Sequence, residues 1–483
     1  MGGLMQELLR ELSLLSSIAS NLGWDQETYA PPAAVSFRAE QLSFLHGRIH
    51  QLRTSTQFRD GLESLEGANQ RELTHQYERA TKLPQELVER ESSTSTLAKA
   101  AWDQARKNRT FEPFAPYLEK LITIAREKAD YWGYDDEPYD ALLCEYERGA
   151  KTQEVASLFE SIESDLADIA AAAVSQSASI APDLLHGPAS VEEQQILNQE
   201  VAESLGFDFE AGRIDTTAHP FCTTLGPKDV RLTTRYDDHD FSSSLFGVMH
   251  ETGHGLYEQG LPSADFHLPS GQAVSLGIHE SQSRLWENHV GRSRPFWEKW
   301  LPRAQELFVH LRKFTLDEFL LGINRAAYSP IRVEADEATY DLHILLRFRI
   351  ERALLSGDLQ VRDVPGAWND LFKELFGFVP THDSEGCLQD IHWSMGGLGY
   401  FATYSLGNIN SAQLFEAAMK DPEVHTNFEQ ANFLPLLEWM QLHIHQHGSC
   451  YFPQELMHQA TGSPTHPEPY LAHLRKRFIN SSQ

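Results

Sequence analysis

"FGVMHETGHGLYEQG", residues 246–260, holds two histidines four positions apart, His250 and His254, with Glu251 beside the first. Read as a helix, positions i and i+4 share one face, about a turn apart. Both imidazoles then point the same way, which suits two nitrogens on one Zn²⁺, and Glu251 is placed to reach a water there. Ser242, Ser243 and Ser244 precede the apolar run, as at a helix start. The bland alternative is an ordinary helix with two core or surface histidines, in a chain that has 22 of them.

A catalytic metal needs a third protein ligand and an open position. Tyr257 and Gly260 stand where a longer His-rich motif would require Gly and a third His, so that version is excluded. The remaining common source is a glutamate on a returning helix. "GIHESQSRLWENHV", from Gly277, offers His279, Glu280, Glu287 and His289 after a Gly/Pro-containing loop. Glu280 lies 26 residues past His254, and the spacing lets it meet the histidine face. Glu287 is the competing ligand, or pairs with Arg284 at the surface, and His279 is a candidate second-layer donor. Spacing alone leaves these open.

Around this segment the chain reads mostly as helix. Leu4, Leu8, Leu12 and Leu15 recur at helical spacing, as do Val155, Leu158, Phe159, Ile162, Leu166 and Ile169. "NFLPLLEWMQLHIHQ" and "EPYLAHLRKRF" predict two more helices. Another is expected at "YSPIRVEAD", with Ser329 as N-cap and Pro330 in the first turn. Only Ile214–Tyr236, rich in Thr, Val, Phe and Tyr and broken at Gly226-Pro227-Lys228-Asp229, reads as a β-hairpin. "AAAVSQSASIAPDLLHGP" reads as a loop between helices. The expectation is one large, mostly helical catalytic domain over residues 1–483, with a small β element ahead of the His/Glu segment.

Composition narrows the function. There are 40 Lys plus Arg against 69 Asp plus Glu, a formal net charge of -29. This balance argues against binding a nucleic-acid backbone, which wants clustered positive charge, so no nucleic-acid partner is expected. The first residues, "MGGLMQELLRELSLLSSIAS", lack a basic n-region and carry Glu7 and Glu11, so no secretory signal is read, and no run spans a bilayer. Four scattered cysteines without CxxC spacing fit reduced thiols in the cytoplasm.

Five ordered patterns then carry a resemblance. Asp229-Val230-Arg231-Leu232-Thr233 matches Asp-x-Arg-x-Thr, and His250 to His254 matches His-Glu-x-x-His. His279-Glu280-Ser281-Gln282 matches His-Glu-Ser-Gln. Ile331-Arg332-Val333-Glu334-Ala335-Asp336 matches Ile-Arg-x-x-Ala-Asp. Gly386-Cys387-Leu388-Gln389-Asp390-Ile391-His392-Trp393 matches Gly-x-x-Gln-Asp-x-His-Trp. Together with "WDQETYAPP" and "ATGSP…PYLAHL", they make nearly the whole chain resemble the M32 metallocarboxypeptidases, the Taq-type thermostable family. Thr252, Gly255 and Ala402 depart from the pattern, but none is a ligand position, so they bear on loop detail and not on chemistry. The resemblance implies His250, His254 and Glu280 as ligands and Glu251 as general base. It also implies a helical two-lobed fold with a deep central groove, a homodimer, and removal of single residues from peptide C-termini.

The remaining roles are expectations from chemistry. Zn²⁺ suits two His and one Glu, with Co²⁺ or Mn²⁺ possible in similar ligands. Tyr404 and His392 are candidates to hold the oxyanion. Arg332 is the candidate clamp for the substrate carboxylate, with Arg231 and Arg235 as alternatives; its spacing to Asp336 is also that of a helical ion pair. Asp390, or equally Asp240 or Glu287, is a candidate acceptor for the free nitrogen of a ligand histidine. Asp229, Arg231 and Thr233 share one strand face at the expected groove edge, and His219 lies beside that strand. The rivals are an endopeptidase or dipeptidase with the same ligands, and a non-catalytic helical scaffold.

Overall fold

The computed structural model describes residues 2–479. Twenty α-helices and one three-stranded sheet are found among them, and the chain divides into two compact units. The first comprises residues 1–81, 181–323 and 410–465; the second comprises 82–180, 324–409 and 466–483. The helix at Thr152–Ser177 absorbs the first seven residues of the Ala/Ser-rich stretch, and the chain passes between units at Ile180–Ala181.

In the first unit the sheet holds β1 (Gly212–Thr216), β2 (Cys222–Gly226) and β3 (Asp229–Thr234), in the order β1-β3-β2. β2 and β3 form the expected antiparallel hairpin; β1 adds a parallel strand beside β3. Lys228 in the hairpin turn has φ 66°, one of three non-glycine residues in that region among the described residues. Leu225, Val230 and Leu232 are buried. Val230 and Leu232 join a large apolar core with Phe207, Leu245, Met249, Leu256 and Trp286.

Over this core lies the helix Phe241–Gly260. Its start is set by Asp240, whose carboxylate accepts the backbone N–H groups of Ser242 at 3.0 Å and Ser243 at 3.4 Å. Asp240 is thereby a helix cap, not the partner of a ligand histidine. Gly255 permits the close seat on the core: a Cβ there would come within 2.7 Å of Phe207 and 2.9 Å of Leu232.

The second unit contains the helices Gln85–Asn108, Ala115–Trp132, Thr152–Ser177, Tyr340–Ser356, Val364–Phe376 and Glu468–Phe478. Val155, Phe159, Ile162, Leu166 and Ile169 are buried as the periodicity predicts. The helix expected from Ser329–Pro330 begins later, at Tyr340. Ser329 Oγ instead accepts the N–H of Ile331 at 3.0 Å, a local turn that competes with helix formation. In the turn ahead of that helix the Asp336 carboxylate accepts from the N–H groups of Ala338 at 3.0 Å and Thr339 at 3.2 Å.

Candidate metal centre and its surroundings

His250 and His254 lie one turn apart on the helix Phe241–Gly260, and Glu258 follows one turn later on the same stripe. The returning helix, Leu276–Arg284, starts at Ser275, whose side chain accepts from the N–H of Ile278 at 3.2 Å. It continues into a π-helical turn, Leu285–Val290. Gly253 sets the distance between the two helices. A Cβ at 253 would sit 2.5 Å from the backbone oxygen of Gln282 and 2.6 Å from Cα of Ser283.

That approach brings Glu280 Oε2 to 3.7 Å from His250 Nε2 and 3.5 Å from His254 Nε2. One ligand atom from each of the three residues lies within 4.8 Å of the others. Donors about 2.0–2.2 Å from a shared tetrahedral ion stand roughly 3.3–3.6 Å apart, so the set fits a divalent cation. Electrostatics agree. Burial disfavours a charge on His250, yet Glu280 and the hydrogen bond to Glu287 outweigh it and lift the ring to about 9. Burial pushes His254 down to about 4, leaving a neutral ring. Burial opposes ionisation of Glu280, but Arg284 and His250 hold it well below the usual carboxylate range. The pocket is thus arranged to stabilise positive charge between the ligands.

Glu251 is buried beside them, and its Oε2 has no hydrogen-bond partner. Burial lifts its carboxyl to about 7, against the pull of His250 and with the push of Glu280. Glu287 accepts from His250 Nδ1 at 2.9 Å and from Arg284 at 3.3 Å. His279 Nδ1 lies 2.6 Å from His254 Nδ1, and its Nε2 lies 2.8 Å from Glu258 Oε1. His279 thus stands between His254 and Glu258. Glu258 was missed: its only sequence signal is its place four residues after His254.

Asp390 does not partner either histidine. Its lone pairs serve Arg332, at 3.0 and 2.8 Å, and Arg347, at 2.7 Å, within the second unit. Nor does Arg332 form the alternative ion pair with Asp336. Arg332 lies in a short 3₁₀ turn, Arg332–Glu334, so i,i+4 helical geometry does not apply. Its Nη1 donates to Tyr340 Oη at 2.8 Å. The Tyr404 ring centroid is 4.9 Å from its guanidinium carbon, and Tyr404 Oη is 3.3 Å from His392 Nε2. Burial and the two arginines, against Asp390, lower His392 to about 4. Burial and Arg347 likewise keep His343 neutral.

Arg231 is engaged locally: it donates to Asp229 at 2.8 and 2.9 Å and lies 4.1 Å over the Trp24 ring. His219 is exposed in the bend between β1 and β2.

Gly253→Ala tests the helix contact. Alanine gains about 1 kcal/mol of helix propensity, while overpacking against backbone costs about 1–3 kcal/mol. We expect a lower melting temperature and reduced metal content. Gly247→Ala, whose methyl would meet nothing nearer than 3.4 Å, is the control. Equal metal content in the two variants would refute the spacer role of Gly253.

Two imidazoles and a carboxylate, with a second buried carboxyl beside them on a helical scaffold, fit the class of metallohydrolase centres. Comparison with known proteins makes this specific. A family model described as Carboxypeptidase Taq (M32) metallopeptidase matches residues 4–478. Thermostable carboxypeptidase 1 of Thermus thermophilus is 39% identical over 98% of this chain and 97% of its own. Thermostable carboxypeptidase 1 of Pyrococcus furiosus is 36% identical over 97% of each. The solved M32 carboxypeptidase of Deinococcus radiodurans R1 matches with a TM-score of 0.95 at 36% identity, covering 99% of this chain and 98% of that one. The chain belongs to the M32 metallocarboxypeptidase family, and it is a metal-dependent carboxypeptidase acting on peptides. No helix among the described residues is long and apolar enough to cross a membrane.

Proposed function

We propose that His250, His254 and Glu280 hold the catalytic cation and that Glu251 is the general base. The observation that carries this reading is the convergence of three ligand atoms within 4.8 Å, with a partnerless buried oxygen of Glu251 beside them. When bound, a divalent cation polarises the scissile carbonyl and acidifies the attacking water. Glu251 takes the proton of that water and returns it to the leaving amine nitrogen. Glu287 and His279 hold the two imidazoles in place. Zn²⁺ is the proposed ion, because two nitrogens and one carboxylate suit it; Co²⁺ and Mn²⁺ are its competitors.

Arg332 is the proposed clamp for the substrate's terminal carboxylate. Three of its five N–H groups serve Asp390 and Tyr340, leaving two for a bidentate partner. Tyr404 and neutral His392 are proposed to steady the oxyanion; Arg231 and Arg235 are the alternative clamps, and His219 is proposed to contact substrate. The whole chain is proposed to act as one catalytic domain. A cytoplasmic homodimer is the working form, a reading supported by the family resemblance and by four free cysteines.

The test uses one peptide with a free C-terminus and the same peptide amidated. The amide is expected to be cleaved roughly 100-fold more slowly, since one charge-assisted bidentate contact is worth about 3 kcal/mol. Equal rates would make the enzyme an endopeptidase.

A further inference from the structure

We infer that Glu258 is a positioning residue that selects the metal-binding tautomer of His254 through His279. This rests on the proposed ligand set. For His254 Nε2 to bind a cation, its lone pair must face the ion, so the ring proton sits on Nδ1. That N–H has one neighbour in hydrogen-bond range, His279 Nδ1 at 2.6 Å, which must therefore accept. The proton of a neutral His279 is then on Nε2, 2.8 Å from Glu258 Oε1. A carboxylate can only accept, so the chain of donors ends there. The other oxygen of Glu258 accepts from Thr224 Oγ1 of β2 at 2.7 Å, which fixes the carboxylate in its turn.

The two ligand histidines are thus oriented by different devices. His250 donates straight to a carboxylate, Glu287, at 2.9 Å. His254 donates to a neutral ring that can also present N–H. Without Glu258, His279 is free to carry its proton on Nδ1. His254 Nδ1 must then accept, which moves the His254 proton to Nε2, the face the cation needs. Metal affinity falls although no ligand has been touched.

The experiment measures zinc affinity of the purified chain by competition with a chelator. Glu258→Ala and His279→Ala are each expected to weaken zinc roughly 10–100-fold. The double variant should be no weaker than His279→Ala, because Glu258 acts only through that ring. Glu258→Gln should recover most of the affinity, since its amide oxygen still accepts from His279 and its NH₂ meets the Thr224 hydroxyl. Thr224→Val should stay close to wild type. Multiplying losses in the double variant, or a Glu258→Gln as weak as Glu258→Ala, would overturn the assignment. His254→Ala separates the two readings. If it binds zinc normally, the ligand set is wrong. If it binds none while Glu258→Ala binds normally, only the positioning role fails.

Discussion

Glu251→Gln is expected to bind zinc at wild-type stoichiometry and to lose roughly 10²–10⁴-fold in kcat. The substitution keeps the shape of the side chain and removes only its capacity to take a proton. Glu251 is not in the group of three that converges on the cation, so the ligand set survives. The general base of a hydrolase must have an oxygen available to the attacking water, and most buried carboxylates do not, because neighbours occupy them. Glu280 spends its oxygens on Arg284, Ser283 and the two histidines. Glu287 spends one on His250 and Arg284. Glu258 spends both on His279 and Thr224. Glu251 alone of these four has a buried oxygen without a partner. The assay pairs elemental analysis with turnover of a peptide bearing a free C-terminus. Turnover within tenfold of wild type in the metal-loaded variant would remove Glu251 from the mechanism.

The histidine pair was legible because its geometry is local, whereas spacing left Glu280 open against Glu287 and only the family resemblance pointed to it. Two histidines at i and i+4 share a helix face by construction, and a short loop with a return brings the next helix alongside. Gly253 carries the remaining information, but a glycine in a helical pattern announces no partner until Gln282 is seen against it. Glu258 stayed hidden for a related reason. An acid on a helix is usually solvated, and only His279 on another element gives it a task. The surroundings of Arg332 misled more. Spacing offered Asp336 as an i,i+4 partner, whereas the guanidinium reaches Asp390, 58 positions away, and the local backbone abandons the helix to let it do so. Strand β1 was unread beyond its last three residues because parallel pairing leaves no turn signal. Nor does any local pattern report that each unit is assembled from three separate stretches of chain.

Arg332→Met is expected to cost about 2–5 kcal/mol of transition-state binding for free-acid peptides, roughly 30- to 4000-fold in kcat/KM, and to leave the amidated peptide almost unaffected. Charge balance explains why such a variant should fold. Arg332, Arg347 and Asp390 are all buried or nearly so, with Arg347 at 0% exposure. Two guanidiniums share one carboxylate, and the neighbouring His343 and His392 remain neutral. A further buried carboxyl, Glu351, is lifted by burial to about 7 against the pull of Arg347, so the cluster is short of negative charge away from bulk water, which is unfavourable until an anion arrives. A substrate carboxylate supplies that anion, and an amide does not. Removing Arg332 leaves Arg347 paired with Asp390, a neutral arrangement. The variant loses two hydrogen bonds to Asp390 Oδ1 and one to Tyr340 while Arg347 keeps Oδ2, so a destabilisation of about 2–4 kcal/mol is expected, and a melting curve checks that the variant is folded. Arg332→Lys should not rescue, since an ammonium cannot donate two parallel bonds to a carboxylate. The decisive quantity is the ratio of kcat/KM for free-acid and amidated peptides. A ratio unchanged in Arg332→Met would move the clamp elsewhere, with Arg231 next to be tested; a ratio near one would establish that Arg332 makes the enzyme read the end of the chain.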